Sequence, residues 1–462
     1  MVDSTNEGIA SRIPTFRPYP EYKDTGVDWL GKIPAHWSVR RLKTISSVQL
    51  SNVDKKSVEG QEKVRLCNYL DVYYNERITE NMEFMAATAT SEHVRRFSLN
   101  AGDVMITKDS ESWTDIAVPA VVVKNLPGVL CGYHMALIRP YHKAIDGRFL
   151  ARACAAIGPR DQFHIAANGI TRFGLTEDAI KTSVFGFPPI VEQRAIADLL
   201  DRETAKIDAL LAKKERLIEL LREKRTALIT QAVTKGLDLS VPMKDSGVEW
   251  LGKIPAHWEV KRLKFVLAAP LKYGANESAE LDDPDLPRYV RITDIDESDG
   301  LREETFKSLP PEVAKEYLLR EGDLLFARSG ATAGKTFLYR KSWGECAYAG
   351  YLIRARLEIK KVRPEFIRYF TASLSYWQWL ASTYIQATIQ NVSAERYASL
   401  SLPSPPVAEQ CAVVSFIALQ TAKIDALVAK IQEAIGRLKE YRTALISAAI
   451  TGKIDVRDEV RW

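Results

Sequence analysis

The chain has 462 residues, of which 46% are hydrophobic and 27% charged, with a formal net charge of +5. That length accommodates two or more domains with separate cores, and the composition argues against a disordered or fibrous protein. The modest positive charge is compatible with a polyanionic partner without requiring one. The five cysteines (Cys67, Cys131, Cys154, Cys346, Cys411) are scattered and nowhere spaced CxxC, which argues against a disulfide framework or zinc finger and for reduced core residues.

In chain order, residues 1–24 lack the basic start and apolar stretch of a secretory signal, and the longest apolar run, IAVPAVVV at 116–123, is too short to span a bilayer. A cytoplasmic location without membrane association is expected. From Asp24 the chain reads DTGVDWLGKIPAHWSVRRLK and from Asp245 DSGVEWLGKIPAHWEVKRLK; the two agree at 16 of 20 positions. His36 and His257 sit between Ala and Trp in this phrase, among packing residues, and read as structural. Gly31 with Pro34, and Gly252 with Pro255, would shape a turn packed down by the tryptophans. A second match, TAKIDALLAK at 204–213 against TAKIDALVAK at 421–430, continues with RTALI at 225–229 and at 442–446, an offset of 217. The chain is therefore two copies of one plan.

The middles, 44–186 and 265–403, diverge except for echoes such as GDVMI at 102–106 against GDLLF at 322–326. Short β-branched and aromatic runs separated by Gly, Asn, Asp and Ser predict small sheets with long loops, and the segment from Pro364 predicts short amphipathic helices. The expected class is α+β, with two mixed domains. After FPPIVEQ at 187 and PSPPVAEQ at 403, long helices are predicted. Ile417, Ile424, Ile431, Leu438 and Leu445 recur every seven residues, with Leu427, Ala434 and Tyr441 three residues after members of that line. The first copy has Leu200, Ile207, Leu221 and Leu228, with Leu210 and Leu217. These read as a heptad seam. Each helix could pack on its own domain, but about 45 residues at 1.5 Å per residue make a rod of roughly 65 Å, longer than a small domain is wide. An antiparallel pair related by a pseudo-twofold axis is the expectation.

Little catalytic chemistry is visible. GATAGKT at 330–336 has three residues between its glycines where a phosphate loop needs four, and TFLYR after it is strand-like. A Pro-Asp at 284–285 and an ExK formed by Glu358 and Lys360 lie too far apart to read as a nuclease motif. The tandem prolines do not form the Asn-Pro-Pro-Tyr loop of an amino-methyltransferase, and no glycine-rich AdoMet or dinucleotide loop follows a strand. No HxxxH or HExxH appears, so neither a catalytic nor a metal site is assigned. The glycine-rich loop carrying Arg328, Ser329, Thr332 and Lys335 could instead approach a nucleic-acid backbone or reach base edges.

Two divergent segments, each followed by a Pro-Pro…Glu-Gln helix start (PPIVEQRAIADLLD at 188, PPVAEQCAVVSFI at 405) and a long heptad helix carrying RTALI, resemble the DNA specificity subunit of type I restriction-modification enzymes. WSVRRLK at 37, WEVKRLK at 258 and GDLLFARSGATAGKT at 322 carry the resemblance over residues 20–455. It implies a tail at 1–19, a target recognition domain at 20–187, a central helix at 188–236, a second recognition domain at 237–404, a distal helix at 405–455 and a tail at 456–462. Each domain would read half of a split site in double-stranded DNA, and the paired helices would set the spacer. Two methyltransferase subunits using AdoMet would dock on the chain, and two restriction/translocase subunits using ATP and Mg would join them; this chain would bind no cofactor itself. The first domain departs from the loop pattern, with GDVMITKDSESWTDIAVP from Gly102, onto which Lys108, Ser110 and Ser112 carry over. ANGITRFGL at 167 and ATIQNVS at 387 match a second family pattern and mark Thr171, Arg172, Gln390 and Asn391 as DNA-facing. The rival readings are a self-contained nuclease acting on DNA and a coiled-coil assembly scaffold.

Overall fold

The computed structural model describes residues 17–141, 144–296, 300–330, 332–384 and 391–457. They form two compact units: one runs up to Lys213 and resumes at Glu433, and the other is Lys214–Gln432. The boundaries fall inside the two long helices, Ile190–Lys235 and Val407–Ile450. The first long helix begins in unit 1 and ends in unit 2, and the second does the reverse.

In unit 1 a five-stranded sheet has the order Ser46–Leu50, Met135–Pro140, Val104–Thr107, Pro119–Val122, Arg77–Ile78. Strand alternation divides the interior. Val104, Ile106, Ala136 and Ile138 face a core shared with the helix Gly147–Ala155 and both long helices, while Met105, Leu137, Ala120 and Val122 face a second core. That second core is closed by a four-stranded sheet, Met85–Ala89, Glu62–Cys67, Leu126–Cys131, Ser98–Leu99. Unit 2 repeats the device. Its four-stranded sheet, Leu267–Tyr273, Leu352–Leu357, Leu324–Ala327, Thr336–Leu338, sends Leu324 and Phe326 to the helix core and Leu325 and Ala327 to the other side.

The Gly-Asp echo before each central strand has a structural cause. Asp103 is fully buried and takes two bonds from Arg139, at 2.9 and 2.8 Å, and one from the Asn100 N–H. Asp323 does the same with Arg356, at 2.8 and 2.6 Å, and the Arg320 N–H. A buried carboxylate needs such a complete set of donors.

The repeated flanks engage each other within each unit. Glu192, in the first turn of its helix, accepts from Trp37 Nε1 at 2.9 Å and from the Tyr19 hydroxyl at 2.6 Å, and lies 2.8 Å from His36 Nε2. Burial, with Glu192 beside it, pushes the Tyr19 phenol well above its ordinary range, so it remains a donor. Next to it, Gln193 donates to the carbonyls of Pro188 and Ala144 and accepts from the Asp146 N–H. In unit 2, Glu409 holds His257 at 2.9 Å, and Gln410 donates to the Pro405 and Lys361 carbonyls and accepts from the Arg363 N–H. The Glu-Gln pair thus fastens the WLGKIPAHW phrase and the backbone of the sheet-bearing domain to a helix start. Two contacts of the first copy are not repeated: Ser240 stands at the position equivalent to Tyr19, and among the described residues the indole N–H of the fully buried Trp258 has no hydrogen-bond partner.

The long helices bear matching ion pairs. Unit 1 contains Arg442 Nε to Asp208 at 2.9 Å, and unit 2 contains Arg225 Nε to Asp425 at 3.1 Å. Asp425 is Asp208 one repeat later, and Arg442 is Arg225 one repeat later, so each copy supplies the aspartate that meets the arginine of the other. The buried line follows Leu200, Thr204, Ile207 and Ile218 on one helix and Ile417, Thr421, Ile424, Ile431, Leu445 and Ala449 on the other. Leu221, Leu228, Leu438 and Tyr441 lie along it half-buried. The expected seam needs correction: Leu210, Leu217 and Leu427 are 39%, 43% and 45% exposed. The companion position falls four residues after the heptad line, not three. Threonine occupies it at 204 and 421, where the hydroxyl donates back to the carbonyl of Leu200 or Ile417 and so tolerates burial. The second helix is long and apolar enough to cross a membrane by length and composition alone, yet it carries Asp425 and Arg442 in ion pairs, which a bilayer core disfavours.

Two outcomes follow for unfolding by denaturant. Ile218→Ala is expected to cost about 2 to 5 kcal/mol, against roughly 0.5 kcal/mol for the neighbouring Leu217→Ala; equal costs would contradict the assigned line. Trp37→Phe, which removes a donor from a buried carboxylate, is expected to cost about 1 to 3 kcal/mol more than Trp258→Phe, whose N–H makes no bond.

Candidate nucleic-acid interface

Each unit ends its central strand on a cation held in the same backbone frame. In unit 1, Val104–Thr107 leads to Lys108, whose N–H donates to the His134 carbonyl at 3.1 Å and whose carbonyl accepts from the Leu175 N–H at 2.8 Å. In unit 2, Leu324–Ala327 leads to Arg328, whose N–H donates to the Tyr351 carbonyl at 3.0 Å and whose carbonyl accepts from the Val392 N–H at 2.8 Å. The residue after the cation then pairs with a later loop, Asp109–Ser110 with Phe173–Gly174 and Ser329 with Asn391. Two segments far apart in sequence, foreseen separately, therefore meet in each domain.

Around that frame the domains differ. The Arg328 guanidinium lies 5.0 Å over the Tyr273 ring, and its Nε is 3.4 Å from Asn391 Oδ1. Tyr351, at the adjoining turn, is 64% exposed. Gly334 closes the glycine-rich loop at φ +87°, its N–H donating to the Ala327 carbonyl at 2.9 Å; a Cβ there would fall 2.0 Å from Leu380. Thr332 and Lys335 do not join Arg328 in these contacts. They line a cavity of about 490 Å³ with Thr293, Arg302, Arg368 and Trp377. Gln390 lies outside the described residues.

In the first domain the cation is covered. The Lys108 ammonium sits 3.0 Å from Asp109 Oδ2 and 4.8 Å over the Tyr133 ring. Arg172 is the exposed cation, reaching Asp109 Oδ1 at 2.8 Å from a loop that Gly169 turns at φ +146°. Thr171 is exposed at the same loop. Ser110, expected to face a ligand, is only 9% exposed; its hydroxyl accepts from Tyr69 at 3.2 Å, so it anchors a cleft wall. Ser112 is half-buried and caps the turn at Thr114. The Tyr69 and Tyr73 rings stack at 5.5 Å and 16°, and with Tyr74, His134, Arg172 and Asp115 they line a cleft of about 550 Å³. Burial raises the Tyr69 phenol, partly offset by its bond to Ser110, while the Asp115 carboxylate raises that of Tyr73, so both remain donors near neutrality. Among the described residues no group of His, Cys, Asp and Glu converges as a metal site.

No protein-family model matches the chain. The specificity subunit of the type I restriction enzyme EcoKI of Escherichia coli (strain K12) is 23% identical over 450 residues, 92% of this chain and 90% of that protein. The StySPI specificity subunit of Salmonella potsdam is 21% identical over 439 residues, again 92% and 90%. The crystal structure of the HsdS subunit from Thermoanaerobacter tengcongensis matches with a TM-score of 0.52 at 16% identity, covering 91% of this chain and 98% of that one. A chain solved to explain complex assembly and conformational transition of the type I R-M system matches with a TM-score of 0.65 at 17% identity, covering 91% and 99%. Along nearly its whole length this chain is a homologue of type I restriction enzyme specificity subunits. It shares their mixed α/β fold of two sheet-rich domains and long helices.

For this specificity-subunit homologue, sequence reasoning missed Asp109, Tyr133 and His134 in the first domain and Tyr273 and Tyr351 in the second. A faint signal existed: Gly132-Tyr133 and Gly350-Tyr351 echo each other. Arg328→Ala is expected to cost about 1 to 3 kcal/mol for duplexes matching one base pair of a preferred site if the guanidinium reads a base. A phosphate contact would instead weaken all duplexes alike and lower the salt slope by about 1. Competition binding across single-pair variants separates the two.

Proposed function

We propose that this chain is the sequence-specific DNA-binding subunit of a type I restriction-modification complex and is not itself catalytic. Each recognition domain reads one half of a bipartite site in double-stranded DNA, and the paired helices fix the spacer. One observation carries this reading: two domains present a cation in the same backbone frame, Lys108 and Arg328, but surround it with different side chains. Identical frames with different surroundings suit one polymer read at two different sequences. Lys108, Ser110, Ser112, Thr171 and Arg172, and Arg328, Ser329, Thr332, Lys335, Gln390 and Asn391, are the residues assigned to that face, Ser110 from within the cleft wall.

Two methyltransferase subunits, carrying AdoMet, dock on the repeated flanks, and two restriction/translocase subunits, using ATP and Mg, join them in the cytoplasm. Leu210 and Leu427 support docking at two like places: they are equivalent under the repeat and both are exposed. Exposed apolar residues of this kind mark protein interaction surfaces when they cluster, and Leu217, Leu220, Phe416 and Leu419 lie on the same two helices.

The test is a domain exchange. Residues 44–186 are replaced with those of a relative of different specificity, and methylated adenines are mapped in cells carrying the complex. One half of the recognised sequence should change while the other half and the spacer persist; an unchanged or wholly changed site would sink the modular reading.

A further inference from the structure

We propose that Asp109 is a positioning residue for base choice in the first domain, aiming Arg172 and His134 into the tyrosine-lined cleft; this rests on the DNA-recognition reading above. Asp109 follows the tip cation directly, and both of its oxygens are engaged. Oδ1 meets His134 Nδ1 at 2.7 Å and Arg172 at 2.8 Å, and Oδ2 meets the Lys108 ammonium at 3.0 Å. The aspartate is 16% exposed, whereas Arg172 is 54% exposed. A largely covered anion thus holds three groups that can carry positive charge, one of which reaches outward. Without it the Lys108 and Arg172 charges would repel one another, and all three groups would lose their common anchor.

Electrostatics gives the arrangement a direction. On a face that meets phosphates, a carboxylate weakens binding to every duplex alike, so its contribution there is geometric and not attractive. An arginine fixed by a carboxylate offers its remaining N–H groups in one orientation, which reading a base edge requires and neutralising a phosphate does not. His134 Nδ1 lies 2.7 Å from Asp109 Oδ1 and 3.1 Å from Arg172 Nη2, so the ring is held at Nδ1, and Nε2 is the nitrogen that would meet a base edge. Tyr69 and Tyr73 supply an apolar wall with hydroxyls already bound to Ser110 and Asp115.

The second copy supports the assignment by contrast. Its corresponding residue, Ser329, carries no charge, and Arg328 is held by the Tyr273 ring and Asn391. The holder, more than the cation, is what differs between the two frames.

The experiment uses the full-length chain with Asp109→Asn, selected against a randomised duplex library and followed by salt titration on one unrelated duplex. Preference at one or two base pairs of the first half-site should fall about tenfold, with the second half-site unchanged and binding to the unrelated duplex equal or tighter. Asp109→Glu should restore part of the preference. Full retention of base preference in Asp109→Asn, while Arg172→Ala loses it, would overturn the positioning role and leave the recognition reading standing. Retention in Asp109→Asn, Lys108→Ala and Arg172→Ala together would overturn both. If Asp109→Asn melts early, His134→Asn and Arg172→Gln, which keep the carboxylate, take its place: loss at the same base pairs is expected, and loss at none, or spread evenly over all sequences, overturns the proposal.

Discussion

The two residues that open each long helix hold this fold together. Glu192 gathers Tyr19, His36 and Trp37 at once, and Gln193 ties the preceding prolines and the loop before Gly147–Ala155 to the same helical turn. Glu409 and Gln410 repeat most of this in the second unit. A carboxylate and an amide in consecutive positions thus join three things that the sequence keeps apart: the start of a domain, its middle and the rod that carries it. Because these bonds are directional and several of them are buried, the domain is held in one orientation on its helix start.

That fixed orientation gives meaning to the strand tips. The Asp103–Arg139 and Asp323–Arg356 pairs hold the strand starts, and the backbone bonds at Lys108 and Arg328 hold the ends. Between them the strand is held at both ends, and the side chains that differ around the two cations lie at its tip and in the loops at 168–174 and 391–392. The architecture separates what must be constant from what can change.

Much of the plan was legible in the chain because it occurs twice: matched flanks, divergent middles and a 217-residue offset need no structure to be seen. The long helices followed from a scarcity of Gly and Pro: none stands between Pro189 and Gly236, and Gly436 alone interrupts the second helix. The seam was misjudged where chemistry ran against hydropathy. Thr204 and Thr421 are buried because their hydroxyls bond within the helix, while Leu210, Leu217 and Leu427 face outward despite being leucine. The site was only partly legible for a different reason. Lys108 and Arg172 could be named from patterns, but the Asp109 carboxylate that joins them acts across 63 residues of sequence, and His134 enters from a third segment. No local spacing encodes such a meeting. Likewise, nothing in the loop sequence separates Thr332 and Lys335, which line a cavity with Arg302 and Arg368, from Arg328, which lies over the Tyr273 ring.

The interleaving of the chain has a consequence for biosynthesis. Unit 2 is contiguous, from Lys214 to Gln432, and can close as soon as that stretch has emerged. Unit 1 cannot, although most of it is made first. Its core includes Leu445, Ile446, Ala449, Ile450 and Val456, and Tyr22 donates to the carbonyl of Gly452. The earliest domain to be translated is thus the last to be completed, and it waits with its apolar faces open until the end of the second helix arrives. A ribosome that stops short of residue 445 would release a chain whose later half is sound and whose earlier half is not.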